Sequence, residues 1–222
     1  MWCDEGVESL LAVLDPASRA GLLKVAIRRR FARGEVVFHE GDPGDALHVV
    51  TGGVFLARTS SSGGDVVAVN VLREGMVFGE LALLTETYRR SATVVALRAA
   101  STLMVTRPDF EDLRGREPKV DRLLVAVLAE RNRRLNDQLM ELVFTPVHQR
   151  VYRRLLAFAD AVGEGDRPGW VDLGQGELAA LAGTTRPTVN RALRRAERDG
   201  LVELARGRVR IVDGAALARL AG

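Results

Sequence analysis

Glu80 and Arg90, ten residues apart in the stretch Phe-Gly-Glu-Leu-Ala-Leu-Leu-Thr-Glu-Thr-Tyr-Arg-Arg-Ser-Ala (78–92), are the side chains of this sequence best suited to chemistry. Arg90 carries a planar fork of donors that can bond a phosphate through charge-assisted hydrogen bonds, and Ser91 adds a hydroxyl beside it. Glu80 would repel an anion, so its fitting partner is a neighbouring hydroxyl such as that of a sugar. Gly79 opens a short apolar turn running through Leu81, whose first backbone N–H groups are available to an anion. The plainer alternative is a strand-to-helix corner carrying an exposed Glu80–Arg90 ion pair, worth ~0 to 1 kcal/mol.

A second concentration of charge lies near the carboxyl end. Arg186, Arg191, Arg194, Arg195, Arg198, Arg206, Arg208 and Arg210 face only Glu197, Asp199 and Glu203 over the same span, although the whole chain has a net charge of +3 and a pI of 9.6. Such a local excess is an electrostatic footprint for nucleic acid, the alternative being a solvated face in a chain that prefers arginine to lysine. Residues 175–194 add the mechanics of a helix-turn-helix. Ala179 is small where helices cross, Gly183 suits a left-handed turn, Thr185 is an N-cap, Pro187 fits a first turn, and Val189, Leu193 and Ala196 share one helical face. Arg186, Asn190 and Arg191 then project outward, where arginine can read guanine and asparagine adenine. Leu201 to Val212 reads as a hairpin wing turning at Arg206-Gly207-Arg208, with both arginines placed for phosphates.

The elements that must position these residues follow from periodicity. Residues 7–30 carry helical spacing split by Asp15-Pro16, which predicts two short helices. Beyond Phe31 the period becomes two: Val36/Phe38, Leu47/Val49, Val54/Leu56, Val67/Val69/Val71, Val94/Ala96 and Leu103/Val105 alternate as half-buried strands between glycine turns. After Pro118 a segment without glycine or proline predicts one helix of ~25 residues, with apolar positions at 124, 127, 128, 135, 139, 142 and 143. Its stripe is compatible with a heptad seam broken by Arg131 and Gln138, or with packing on its own strands. Thr145-Pro146 marks a hinge before a helix carrying Val151, Leu155, Leu156 and Phe158, and Gly163 to Gly169 is a loop.

Composition narrows the function classes. A 222-residue chain with 47% hydrophobic and 27% charged residues suits two soluble domains, and no apolar run reaches the ~18 residues of a membrane span. The amino terminus lacks the basic start of a secretion signal, so a cytoplasmic protein is expected. Cys3 is the single cysteine, which precludes an internal disulfide or a four-cysteine iron-sulfur site. His39, His48 and His148 lack metal-pair spacing and none is distinctively placed as an axial haem ligand, and no nucleophile elbow or Walker loop is present, so neither a metal site, haem nor catalysis is expected. His48, between Leu47 and Val49, reads as a surface strand residue.

The 78–92 cassette, with Gly79, Glu80, Leu81, Arg90 and Ser91, resembles the phosphate-binding cassette of the cyclic-AMP receptor protein and fumarate/nitrate-reduction regulator superfamily, and residues 41–50 resemble that family's early turn. The resemblance runs through nearly the whole chain. It implies an α+β fold: a cyclic-nucleotide-binding antiparallel β-roll over 1–117, a dimerisation helix over 118–144, and a winged helix-turn-helix over 145–222. It further implies a homodimeric transcription regulator, not an enzyme, acting on a pseudo-palindromic double-stranded operator. Cyclic AMP is the first-choice allosteric ligand, with cyclic GMP or ligand-independent activity as alternatives, and a polymerase-contact surface falls near the 159–170 loop. Arg131 matches a long-helix arginine near the nucleotide, and Asn136 a residue given by the partner subunit. Arg186 and Arg191 match the base-reading arginines, and Gln175 and Thr188 fall at phosphate-contacting positions. Two departures stand out: Leu135 replaces a threonine that bonds the adenine amino group, and Pro187 replaces a glutamate that accepts from cytosine.

Overall fold

The computed structural model describes residues 10–64, 66–162 and 169–222. Two short helices open it, α1 (Leu10–Val13) and α2 (Pro16–Val25), and Asp15 caps α2 by accepting from the backbone N–H groups of Ala17 and Ser18. The start of the first predicted helix, at 7–9, lies outside the described residues.

Eight strands follow: β1 (Ile27–Phe31), β2 (Val36–Phe38), β3 (Ala46–Gly52), β4 (Phe55–Ser60), β5 (Val66–Leu72), β6 (Val77–Phe78), β7 (Thr93–Ala96) and β8 (Ala100–Thr106). They make two four-stranded sheets, ordered β1-β8-β3-β6 and β2-β7-β4-β5, and the pairings of β1 and β3 with β8, β3 with β6, and β2 and β4 with β7 are antiparallel. Strand β1 was missed by period-two reading, because Arg28, Arg29 and Arg30 form an exposed sheet edge with no apolar alternation. Strand β3 departs from the half-buried expectation: Ala46 to Val50 are all buried. Leu47 and Val49 face a helical layer with Leu22, Phe110, Leu113, Val120 and Leu124, whereas Val50 joins Phe31, Phe55, Phe78 and Val94 in a second core. His48 lies between its two buried neighbours and is 5% exposed, so its reading as a surface residue is wrong: a strand covered on both faces has no solvent side.

Helix α3 (Leu81–Leu84) follows β6, and α4 (Arg107–Arg116), which periodicity did not suggest, follows β8. Helix α5 (Pro118–Phe144) spans 27 residues without interruption. Its apolar positions differ in burial: Val120, Leu123 and Leu124 near its start are buried, while Val125, Leu135, Leu139, Leu142 and Val143 are exposed.

The break at Thr145-Pro146 leads to α6 (Val147–Val162), β9 (Trp170–Val171), α7 (Gln175–Ala182), α8 (Arg186–Arg198), β10 (Val202–Ala205), β11 (Arg208–Ile211) and α9 (Gly214–Ala221). A three-stranded sheet of order β10-β11-β9 forms the wing, tightest where Ala205 opposes Arg208 and Gly207 takes φ 74°. Val151, Leu155, Leu178, Val189, Leu193 and Leu217 fill this core, and the Tyr152 hydroxyl donates to the Ala192 carbonyl at 3.0 Å. The predicted 163–169 loop, Gly169 apart, and half of the 159–170 segment fall on 163–168, outside the described residues. Two compact units result, one of Val69–Arg134 with the described residues up to Thr59, the other of Ser60–Ala68 with Leu135–Gly222. No helix among the described residues is long and apolar enough to cross a membrane.

Candidate ligand cassette and DNA-reading groove

The cassette is delivered by β6, whose Phe78 and Val77 pair with His48 and Val49. Gly79 follows at φ 82°, a conformation natural to glycine, and a Cβ there would stand 2.6 Å from Arg90 Nη1. Glu80 occupies the N-cap position of α3 with helical backbone and its side chain makes no capping bond. The carboxylate turns inward and is 0% exposed; Oε1 accepts from Arg131 Nη1 on α5 at 2.7 Å, and Oε2 is buried with no partner. The alternative Glu80–Arg90 ion pair does not form, because Arg131 takes the carboxylate. A buried charge without a partner would be costly, so this pair ties the cassette to α5.

Arg90 is 6% exposed. Its Nη1 donates to the carbonyls of Ala46 (2.7 Å) and Gly79 (3.0 Å), its guanidinium lies 4.1 Å from the Phe38 ring centroid, and Nη2 stands 4.0 Å from Asp45 Oδ1. Burial lowers its pKa, opposed by the carboxylates of Asp45, Asp42 and Glu80. Arg90 Nε is buried without a partner. An orphaned acceptor on Glu80 and an orphaned donor on Arg90 are the complement of a sugar hydroxyl and a phosphate, so these residues fit a cyclic nucleotide. Leu81 is half-buried, and Ser91, Leu135 and Asn136 are exposed.

Sequence reasoning missed what lies behind the guanidinium. Phe38, Phe78 and His48 form a stack in which His48 and Phe78 are nearly parallel, at 8° and 5.0 Å between centroids. His48 Nδ1 meets Thr102 Oγ1 at 3.0 Å, and burial, helped by Arg90 and Arg29, pushes its pKa down to about 3. The signal was present as Phe38 in β2 and His48 in β3, but these strands lie in different sheets and only the tertiary packing brings the two rings within 6.1 Å.

In the second unit, Gly183 takes φ 58° between α7 and α8, and a Cβ there would come within 2.5 Å of Leu142 Cδ2. Glu177 Oε2 accepts from the Gly174 N–H at 2.6 Å and fixes the start of α7. Thr185 stands at the N-cap of α8, but its hydroxyl meets Thr188 Oγ1 at 3.1 Å and not the backbone, which corrects the capping expectation; Pro187 in the first turn already removes one N–H. Val189, Leu193 and Ala196 are buried as the spacing predicts.

The opposite face of α8, the start of α7 and the wing enclose a groove of about 480 Å³ lined by Gln175, Arg186, Asn190, Arg206 and Arg208. Five of the seven DNA-facing side chains picked from sequence therefore share one concavity. Asn190 Nδ2 donates to Gln175 Oε1 at 3.2 Å, and exposed Arg191 donates through Nη2 to Thr188 Oγ1 at 3.1 Å. Arg208 lies half-buried, 5.0 Å from the Trp170 ring centroid, so the wing arginine is braced by β9. Arg194 and Arg210 are paired with Glu197 and Glu203, so these two positions of the basic run are self-neutralised.

Residues 28–117 match the family model for the cyclic nucleotide-binding domain, and residues 149–220 that for the Crp-like helix-turn-helix domain. A CRP-like cAMP-activated global transcriptional regulator of Mycobacterium tuberculosis is 34% identical over 214 residues, covering 94% of each chain. The cyclic AMP receptor protein of Thermus thermophilus is 36% identical over 194 residues, covering 87% of this chain and 88% of its own. Among solved structures, a transcriptional regulator of the CRP family from Thermus thermophilus superposes with a TM-score of 0.75 at 26% identity, covering 87% of this chain and 96% of its own.

Proposed function

The chain belongs to the cyclic-AMP receptor protein and fumarate/nitrate-reduction regulator family of transcription regulators, and from that premise we propose that it is a homodimer whose DNA binding is controlled by cyclic AMP. The observation that carries the ligand half is the pair of orphaned buried atoms, Glu80 Oε2 and Arg90 Nε, in one glycine-lined cassette. A ribose hydroxyl would donate to Glu80 Oε2, and the cyclic phosphate would take Arg90 Nε and Nη2, with Leu81 and Ser91 at the rim. Because the other oxygen of Glu80 is held by Arg131, the sugar and α5 share one carboxylate. Ligand binding thus biases the position of the long helix. Cytoplasmic placement and the division at 117/118 and 144/145 complete the reading.

The dimer half rests on α5. Val125, Leu128, Leu135, Leu139 and Leu142 fall at alternating three- and four-residue spacing once Asn132 is included, the seam of a two-stranded coiled coil. Val125, Leu135, Leu139 and Leu142 are 67%, 43%, 59% and 41% exposed, an apolar stripe that a second copy would cover. Arg131 lies off this seam, against Glu80. Two recognition helices, with Arg186, Asn190 and Arg191 toward the bases and Gln175, Thr188, Arg206 and Arg208 toward phosphates, would then meet half-sites ~34–36 Å apart. The 159–170 segment is the place proposed for polymerase contact.

A second reading, a regulator responding to cyclic GMP or to no nucleotide, is favoured by one feature: Leu135 offers no hydrogen bond to a base. Isothermal calorimetry decides between them. Heat with cyclic AMP that Arg90→Ala abolishes supports the first reading, stronger heat with cyclic GMP supports the second, and no heat with either removes nucleotide control. Sedimentation equilibrium should report a dimer, broken by Leu139→Glu.

A further inference from the structure

We propose that Arg107 is a positioning residue that holds the Glu80–Arg90 cassette in its binding geometry before ligand arrives, with the Tyr88 ring keeping its guanidinium in place. Arg107 opens α4, and its backbone N–H donates to the Asp45 carbonyl at 2.7 Å. Its Nη2 donates to the carbonyls of Gly44 (2.9 Å) and Ala82 (3.0 Å), and Nη1 to that of Leu83 at 3.4 Å. Ala82 and Leu83 lie in α3, four residues long, whose closing carbonyls have no turn of helix beyond them to accept from. Arg90 meanwhile donates to the carbonyls of Ala46 and Gly79. Two guanidinium groups therefore grip the 44–46 turn, Arg90 joining it to the entrance of the cassette and Arg107 to the end of α3.

Tyr88 gives the independent sign that this arrangement is held by its surroundings. It is the non-glycine residue with positive φ, at 50°, among the described residues, and it is 53% exposed, yet its ring lies 4.2 Å from the Arg107 guanidinium. An aromatic residue keeps a left-handed backbone only where neighbouring contacts enforce it. The Gly44 N–H donates to the Tyr88 carbonyl at 2.8 Å, so the strained residue is bound to the same turn that Arg107 holds. The acceptors of Arg107 here are neutral carbonyls, which leaves its positive charge to favour an anion in the cassette. Pre-forming the grip lowers the ordering cost that binding must otherwise meet.

This inference rests on the cyclic-nucleotide reading, and its test separates the two. Hydrogen exchange of the ligand-free, full-length protein is measured for wild type, Arg107→Met and Arg107→Lys, together with cyclic AMP calorimetry. In Arg107→Met the amides of Gly44, Leu84 and Thr85 should exchange about tenfold faster, while those of β3 and β8 keep their protection. Nucleotide affinity should fall about tenfold, and Arg107→Lys, which keeps the charge but not the fork, should recover only part of it. Unchanged exchange in the cassette overturns the proposal, whether or not nucleotide binds. Equal loss of protection in β3 and β8 also overturns it, since Arg107 would then support the whole roll and not the cassette. Wild-type protein that binds no cyclic nucleotide defeats the functional reading, while the exchange comparison still judges the positioning role.

Discussion

The candidate cassette and the candidate groove both offer arginines suited to phosphate, yet they are built in opposite ways. In the cassette Glu80 and Arg90 are almost wholly buried and each is already engaged by protein groups, one by Arg131 and the other by two carbonyls. Arg186 and Arg206 in the groove and Arg191 beside it stand exposed, on the start of α8, a hairpin turn and the body of α8, and the fold beneath α8 is an ordinary apolar face of Val189, Leu193 and Ala196. Charges that are buried must be satisfied to fold at all, whereas exposed ones are satisfied by water until the target replaces it. Substitutions in the cassette should therefore disturb stability and ligand binding together, while substitutions in the groove should touch DNA alone.

The largest expected effect is on the buried ion pair. Arg131→Met strands the Glu80 carboxylate and should destabilise the roll by about 3 kcal/mol, the lower end for a broken buried pair because Arg131 is a quarter exposed. Adding Glu80→Gln should restore part of that loss in urea melts; strict additivity would show that the two do not interact. On the groove side, Arg186→Ala and Arg191→Ala should each relax base choice at one position by ~1–3 kcal/mol in operator selection, with melting temperature unchanged. A uniform loss over all sequences would place them on phosphates instead.

A pH titration sharpens the contrast further. His48 is neutral in the fold with its pKa pushed down to about 3, but takes up a proton near its ordinary 6.5 when unfolded. The unfolded state binds more protons between these values, so stability is full above about pH 6.5 and falls by ~1.4 kcal/mol per pH unit below it. His48→Phe should flatten that slope in the roll. The smallest effect belongs to Arg206→Ala, which should weaken DNA binding evenly and lower the salt-dependence slope by about 1.

The same difference explains what was legible. The helix-turn-helix could be read residue by residue, since helical periodicity, a turn glycine and an early proline are local signals, and α8 spans Arg186–Arg198 with its apolar face buried. The cassette motif was equally visible, but not its partners. Glu80 was weighed against Arg90, ten residues away, whereas its partner Arg131 lies 51 residues on. His48 was misplaced because strand alternation reports one covered face, and β3 is covered on both. The α5 stripe was read as compatible with a seam broken by Arg131 and Gln138; the ion pair with Glu80 instead engages Arg131 at the cassette and leaves Asn132 exposed beside the stripe.

By itself the sequence determined the family and the order of its parts, and it nominated the residues proposed to hold a phosphate or enter a groove, because those rest on residue type and short spacing. Only the tertiary structure decided that Glu80 belongs to Arg131, that Arg90 is backed by a ring stack, and that Arg107 and Tyr88 brace the cassette. The reason is physical: a buried charge is fixed by whichever opposite group or carbonyl the packed sheets bring within about 3 Å, and that distance is set by strand pairing between segments far apart in the chain.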